Sequence, residues 1–169
     1  MDQARSGDED AWRQLFWRVY PRLLAYARRR VGPDAAEDVV GETMTKAVAA
    51  IDRFRWEPAG FDAWLFGIAH HVCSDHHRHR SRARRTHMPI PAVELVTPSD
   101  RLERDDDHAQ VQQSFDRLSA ADQRVLELRV IAGLSAEETA AVLGRRAGAV
   151  RTAQSRALAR LRRMLEGSA

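Results

Sequence analysis

The sequence lacks most of the features that mark secreted, membrane-spanning or disulfide-stabilised proteins. It holds a single cysteine, Cys73, in 169 residues, which excludes an intrachain disulfide and is typical of a reducing compartment. No apolar run approaches the ~18 residues that cross a membrane. The polar, acidic start "MDQARSGDEDAW" is unlike a secretory signal. We therefore expect a soluble, cytoplasmic protein.

Lysine is also nearly absent. Lys46 is the only lysine, so 26 of the 27 basic residues are arginine, and the net charge is only +3. The planar fork of arginine suits phosphates and base edges better than the point charge of lysine does. A GC-rich genome produces the same bias, however, so the composition alone does not indicate nucleic-acid binding.

The distribution of charge along the chain is more informative than its sum. Charged residues of one sign are grouped in blocks, which suggests separate surfaces for separate partners. The blocks are four carboxylates and no base over 34–42, five arginines and no acid over 76–85, six acids against two arginines over 94–107, and seven arginines against one acid over 145–166.

Strand signals are missing, because the sequence has no sustained alternation of period two and few β-branched residues outside helical spacing. The pattern predicts an all-α protein made of two small, compact helical domains that are tethered by a flexible linker. We expect the first domain over 1–85, a proline-containing acidic linker over 86–107, and the second domain over 108–169. The predicted helices run over 8–31, 35–54, from 61 onward, 108–118, 119–133, 135–144 and 149–165.

The helix that starts near Phe61 changes character along its length. Its first half carries a complete apolar stripe that ends at Cys73, and the same stripe then continues with polar and basic residues. We expect packing to stop near Cys73 and the helix to continue as a cationic rod that suits a polyanion. The apolar stripe consists of Phe61, Trp64, Leu65, Ile68, Ala69, Val72 and Cys73.

The end of the chain has the pattern of a helix-turn-helix. Ser135 and Glu138 have the S-x-x-E spacing of a capping box, and Gly144 closes that short helix. A tight turn and a longer, arginine-bearing helix follow. Arg151 and Arg156 lie on the outer face of the longer helix, which favours nucleic-acid binding over a purely structural helix pair.

Three segments together resemble bacterial group IV (extracytoplasmic-function, ECF) RNA polymerase sigma factors, and the resemblance covers nearly the whole chain. The resemblance implies that an acidic face of the first domain binds the polymerase β′ clamp. It also implies that a loop and the cationic helix of that domain contact the −10 promoter element, and that the helix-turn-helix contacts the −35 element. The segments are "AEDVVGETMTKAVAAIDRF", "FDAWLFGIAHHVCSDHHRHR" and "LSAADQRVLELRVIAGLSAEETAAVLGRRAGAVRTAQSRALARLRRML".

The resemblance implies a role for specific residues. The core-polymerase face would be Asp34, Glu37, Asp38 and Glu42; the −10 contacts would be Trp56, His76, Arg78, His79 and Arg80; and the −35 contacts would be Arg145, Arg146, Arg151, Thr152, Ser155 and Arg156. It also implies core RNA polymerase (β′ clamp and β flap), promoter DNA and an anti-sigma factor as partners, and no cofactor, metal or small-molecule substrate.

Three other functions are compatible with parts of the sequence. A free-standing dimeric DNA-binding regulator would use the helix-turn-helix alone, but it would have no need of an acidic docking helix. A zinc sensor would use the cluster of His70, His71, Cys73, His76, His77 and His79, in which pairs have i,i+3 or i,i+4 spacing. An enzyme has almost no support, because the sequence has no G-x-S-x-G, no phosphate-binding loop and no carboxylate pair with an evident base.

Overall fold

The computed structural model describes residues 9–54, 59–86 and 102–167, and these residues form helices and turns without a strand. The all-α prediction is confirmed. The elements are α1 (Glu9–Val31), α2 (Pro33–Ala50) with a following 3₁₀ turn (Ile51–Arg53), α3 (Gly60–Thr86), α4 (Leu102–Asp116), α5 (Ala120–Leu126) with a following π-helical segment (Glu127–Ile131), α6 (Ala136–Leu143) and α7 (Ala147–Glu166).

Local sequence signals set the helix ends. Gly32 has a φ of 89° and Pro33 opens α2, so α1 and α2 are separate helices. At α6 the predicted capping box forms completely: the Glu138 amide donates to Ser135 Oγ at 3.0 Å, and the Ser135 amide donates to Glu138 Oε2 at 2.6 Å. Gly144 ends this helix in the left-handed conformation, with φ 61°.

The apolar stripes predicted for the first three helices form the core of the N-terminal half. Tyr26 from α1 packs edge-to-face on Phe66 from α3, with their ring centroids 5.7 Å apart. Each fully buried large apolar side chain stabilises the fold by about 1.5–3 kcal/mol. The buried stripe residues are Val19, Leu23, Tyr26 and Ala27 of α1, Val39, Val40 and Ala47 of α2, and Phe61, Leu65, Ala69, Val72 and Cys73 of α3.

One helix starts earlier than the sequence pattern predicts. The apolar spacing predicts a helix over 108–118, but α4 begins at Leu102 and ends at Asp116. The added stretch is the acidic segment "LERDDD". Acidic residues are favoured in the first turns of a helix because they face the positive end of the helix dipole, so this segment extends the helix rather than the linker. Residues 87–101 of the predicted linker lie outside the described residues.

The two halves of the chain pack directly against each other, which a tether alone does not predict. Leu128, Ala132 and Leu134 are fully buried and belong to the same apolar cluster as Leu23 and Phe66. The largest contacts between the N-terminal and C-terminal halves are those of α6 with α3 and of the π-helical segment with α1. Each half also has apolar clusters of its own, so the predicted organisation into two small helical domains holds, and one further cluster spans both domains.

Candidate polymerase and nucleic-acid interfaces

The acidic face of α2 is exposed to solvent along its length. Helical periodicity places the carboxylates opposite Val39, Val40 and Thr43, which are buried against the rest of the N-terminal half. Only the carboxylate at the end of this row has an ion pair within the helix: Lys46 Nζ lies 2.7 Å from Glu42 Oε1. The exposed residues are the predicted polymerase contacts Asp34, Glu37, Asp38 and Glu42.

Helix α3 passes from core to surface at the predicted position. Val72 and Cys73 are buried, whereas the side chains from 77 to 80 are exposed. Three predicted −10 contacts, Arg78, His79 and Arg80, therefore lie on one exposed helical stretch. The helix continues to Thr86, but only its backbone is described beyond residue 80.

Local partners distinguish the basic side chains of this stretch. Arg78 donates to the carboxylate of Asp75 one turn earlier, and this bond holds the pKa of Asp75 below its usual range. Arg80 Nη1 lies 3.5 Å from the carbonyl of Val31, a long contact that leaves the guanidinium exposed. His76 faces differently from the others: it is half-buried, and its Nε2 is buried without a hydrogen-bond partner among the described residues.

The base of the predicted −10 loop is an aromatic cluster. Trp64, which the sequence pattern assigns to the core, is partly buried, with ring centroids 5.0 Å from Phe54 and 5.6 Å from Phe61. Trp56, the predicted base-stacking residue, lies outside the described residues. Beside the cluster is an open cavity of about 410 Å³, which Arg53, Trp64 and His71 line together with Ala141 and Val142 of α6.

The helix-turn-helix consists of α6, a short turn and α7. Arg145 and Arg146 lie at the turn and are exposed, and Arg146 immediately precedes α7. Val150 and Ala157 are fully buried on the inner face of α7. The outer face exposes the predicted −35 contacts Arg151, Thr152, Ser155 and Arg156.

Two of these outer side chains already have partners in the free chain. Arg151 Nη1 lies 2.7 Å from Glu137 Oε1 of α6, and the guanidinium lowers the pKa of that carboxyl. The Thr152 hydroxyl donates to the carbonyl of Gly148 at 3.1 Å, so its oxygen remains available as an acceptor.

The sequence analysis missed the charged side chains between the two halves. Glu127, at the start of the π-helical segment, is almost fully buried, and its carboxylate is 3.3 Å from Arg30 and 3.9 Å from Arg29. Burial raises the pKa of Glu127, while both guanidinium groups act in the opposite direction. The available signal was a single acid inside the apolar stretch "RVLELRVIAG".

The histidine and cysteine cluster of the alternative zinc-sensor hypothesis is not assembled among the described residues. No group of three or more histidine, cysteine, aspartate or glutamate side chains is placed there to hold a metal ion. Cys73 is fully buried, and burial raises the pKa of its thiol to about 12. His70 instead lies with its Nδ1 3.2 Å from the Tyr26 hydroxyl, and burial lowers its pKa to about 4.

Comparisons with known proteins identify the family. Family models for Sigma-70 region 2 and for Sigma-70, region 4 match residues 15–83 and 108–161. The chain is 36% identical to the ECF RNA polymerase sigma factor SigD of Mycobacterium tuberculosis, over 95% of this chain and 79% of SigD. It is 34% identical to the ECF RNA polymerase sigma factor ShbA of Streptomyces griseus, over 97% of this chain and 92% of ShbA.

Solved structures agree with this assignment. CnrH, in complex with the cytosolic domain of CnrY, matches with a TM-score of 0.75 and 29% identity over 99% of this chain and 96% of its own. The sigma factor RpoE of Bartonella quintana, in complex with the anti-sigma factor NepR, matches with a TM-score of 0.70 and 26% identity over 92% and 97% of the two chains.

The chain therefore belongs to the ECF RNA polymerase sigma factors, as its motifs predict, a family of transcription regulators rather than enzymes. Within the part of the chain that the structure describes, no helix is long and apolar enough to cross a membrane.

Proposed function

We propose that this chain binds core RNA polymerase and directs it to promoters that carry −10 and −35 elements. The observation that carries the proposal is a pair of oppositely charged, solvent-exposed helical faces. The acidic face of α2 and the arginine-bearing face of α7 each lie opposite a buried apolar stripe, so the fold holds both charges outward.

Residues 1–85 would act as sigma domain 2, residues 108–169 as sigma domain 4, and residues 86–107 as the linker between them. The matches to the region 2 and region 4 models, over 15–83 and 108–161, support this division. In domain 2, the carboxylates of α2 would bind a basic surface of the β′ clamp. Such charge pairing speeds association and fixes the orientation of the partner more than it adds affinity.

The two DNA contacts would use different chemistry. At the −35 element α7 would enter the major groove, where a bidentate pair between arginine and guanine discriminates by about 1–3 kcal/mol. Arg145 and Arg146, at the turn, would contact phosphates. At the −10 element Arg78 and Arg80 would follow the backbone of the single strand, and Trp56 would stack on a base, a contact worth about 1–3 kcal/mol.

The domain-4 half carries an apolar groove that suits a helix of the polymerase β flap. Its volume is about 260 Å³, and Phe115, Leu126 and Leu161 lie along it. Val130 and Leu158 at the groove are 60% and 43% exposed, and exposed apolar side chains that are grouped in one groove are typical of an interaction site.

We further propose an anti-sigma factor as a regulatory partner, a cytoplasmic location and no catalytic activity of the chain itself. CnrH and RpoE, two of the structural relatives, were solved in complex with CnrY and NepR, and both match this chain across its two halves. Any catalysis would therefore be that of the polymerase that the chain directs.

Reconstituted transcription tests the proposal. Core polymerase with the purified chain should initiate at defined sites on genomic DNA, and the mapped 5′ ends should share −10 and −35 sequences. Asp38→Arg should abolish initiation at limiting concentrations, because it reverses a charge in the acidic face, whereas Glu166→Arg, which reverses an exposed charge at the end of α7, should not. Specific duplex binding without polymerase, combined with no initiation, would instead indicate a free-standing regulator.

A further inference from the structure

The first turn of α6 carries two adjacent acids that have different partners. Glu138 completes the capping box, because its Oε2 accepts from the Ser135 amide at 2.6 Å. Glu137 instead reaches across to α7, where its Oε1 lies 2.7 Å from Nη1 of Arg151. The bonds of the capping box do not use Glu137, so the end of α6 does not explain this second carboxylate.

Apolar packing fixes the two backbone positions from which this ion pair forms. Ala136 and Val150 immediately precede Glu137 and Arg151 in the chain, and both are buried in one cluster between α6 and α7. A closely packed cluster of this kind resists deformation. The helices therefore bring the carboxylate and the guanidinium together, and the exposed pair is not needed to hold the helices in place.

Arg129 adds a polar connection behind the pair. It donates from Nε to Gln154 Oε1 of α7 at 2.7 Å and from Nη1 to the carbonyl of Leu134, just before α6. The hydrogen bond from Arg151 is the main reason that the pKa of Glu137 is lowered, and the positive charge of Arg129 acts in the same direction. Glu137 is therefore a carboxylate at neutral pH.

The ion pair changes what Arg151 is able to bind. An arginine fork has five N–H donors, and the carboxylate of Glu137 occupies one end of it. The edge of a guanine is neutral and accepts two donors that lie in one plane. A phosphate is an anion, so its approach to a guanidinium that already carries a carboxylate brings two like charges together. The pair therefore disfavours phosphate more than it disfavours a base edge.

We infer that Glu137 is a positioning residue that commits Arg151 to a base pair of the −35 element and keeps it from the phosphate backbone. The inference rests on the proposed function, which brings α7 to the major groove. It has two consequences: without the Glu137 carboxylate, the chain should discriminate less at that base pair, and it should bind unrelated duplex more tightly.

Base-pair preference tests the first consequence. Promoters found by mapping 5′ ends are changed at each −35 base pair in turn, and Arg151→Ala identifies the base pair at which preference is lost. There the unaltered chain, bound to core polymerase, should prefer the original base pair by about tenfold or more, and Glu137→Gln should lower that preference by about threefold or more. The control is Glu166→Gln, which removes the same charge from an exposed carboxylate paired with Arg162 and should keep the preference.

Salt dependence tests the second consequence. On a duplex with a scrambled −35 element, Glu137→Gln should steepen the slope of log affinity against log salt by about 0.9, because the released Arg151 neutralises one more phosphate. Arg151→Ala combined with Glu137→Gln should lack this increase, and so should Glu166→Gln. General damage to the fold weakens binding but does not add a phosphate contact, so the slope distinguishes positioning from a purely structural role.

A titration of the free chain supplies a readout that needs neither polymerase nor DNA. When Glu137 is followed by nuclear magnetic resonance, Arg151→Ala should raise the pKa of its carboxyl toward the usual range, since the main cause of the lowered pKa is removed. An unchanged pKa would show that the two side chains do not pair in solution and would overturn the positioning role.

The outcomes separate the two proposals. Full preference in Glu137→Gln at the base pair that Arg151 reads, an unchanged salt slope, or no −35 base pair affected by Arg151→Ala would overturn the positioning role and leave the proposed function intact. No initiation by the unaltered chain would overturn the proposed function, and the same variants would then be compared in duplex binding by the full chain alone. Weaker base preference of Glu137→Gln in that assay would still support the positioning role, whereas no preference by any variant would overturn it as well.

Discussion

Arg151 of the recognition helix and Glu137 of the helix before it form an ion pair with 2.7 Å between Nη1 and Oε1. Both side chains are about 60% exposed, so water screens the pair and it contributes little to folding. Its consequence is geometric: the carboxylate holds one end of the guanidinium before DNA arrives. The remaining donors of the arginine fork stay available to a base edge or a phosphate.

Loss of Arg151 should weaken promoter recognition at the −35 element only. We expect Arg151→Ala to reduce initiation by polymerase carrying this chain by about 10- to 100-fold, because a bidentate arginine contact discriminates by about 1–3 kcal/mol. The loss should shrink on promoters whose −35 sequence has been scrambled. Arg162→Ala removes an exposed cation of the same helix that pairs with Glu166; an equal loss in both variants would show that Arg151 acts only through net charge.

The cationic part of α3 should bind the −10 strand in a salt-dependent way. We expect Arg80→Ala to lower the slope of log affinity against log salt by about 0.7 for polymerase bound to a single-stranded −10 oligonucleotide, since each neutralised phosphate contributes that amount. Arg28→Ala, which removes an exposed cation on α1, is the matched control. An unchanged slope for Arg80→Ala would place this side chain off the DNA path.

The capping box of α6 should be a measurable source of stability. Ser135→Ala removes the acceptor of the Glu138 amide and should lower the free energy of unfolding by about 1 kcal/mol. Ser155→Ala changes the same residue type on the exposed middle of α7 and should have little effect on unfolding. Chemical denaturation of the full chain measures both, and a loss in Ser155→Ala as large as that in Ser135→Ala would contradict the assignment.

Acid should destabilise the fold partly through His70. Its folded-state pKa, about 4, lies below the ordinary 6.5 because the ring is half-buried, so the unfolded chain binds the proton more readily. The contribution of the neutral His70 ring to the free energy of unfolding is complete above pH 6.5 and declines as the pH falls toward 4. The slope is at most about 1.4 kcal/mol per pH unit, and less because water reaches part of the ring.

Comparison of variants isolates this contribution from the carboxylates that titrate in the same range. His70→Gln should have a flatter dependence of unfolding free energy on pH between 6.5 and 4 than the unaltered chain. His79→Gln, a change at an exposed histidine of the same helix, should retain the steeper dependence. If the unfolding free energies of the unaltered chain and of His70→Gln depend on pH in the same way, protonation of the His70 ring does not destabilise the fold.

Much of the candidate interfaces could be predicted from the sequence because they depend on local rules. The acidic face of α2 and the outer face of α7 follow from helical periodicity once the buried positions are known, and the exposed end of α3 follows from the point where its apolar stripe stops. His76 is the exception on α3. Its position on the helix suggested a DNA contact, but its side chain is half-buried with Nε2 enclosed, and the spacing of residues within α3 does not predict that burial.

The sequence by itself determined the helices, their caps, the charged faces and the family, because each depends on residues a few positions apart or on motifs read in order. Only the tertiary structure decided that the two halves share an interior. The bond of Arg22 to Ala132 spans 110 residues and that of Arg30 to Glu127 spans 97. Such contacts depend on where whole helices pack, and a buried carboxylate is stable there only because two guanidinium groups from the other half neutralise it.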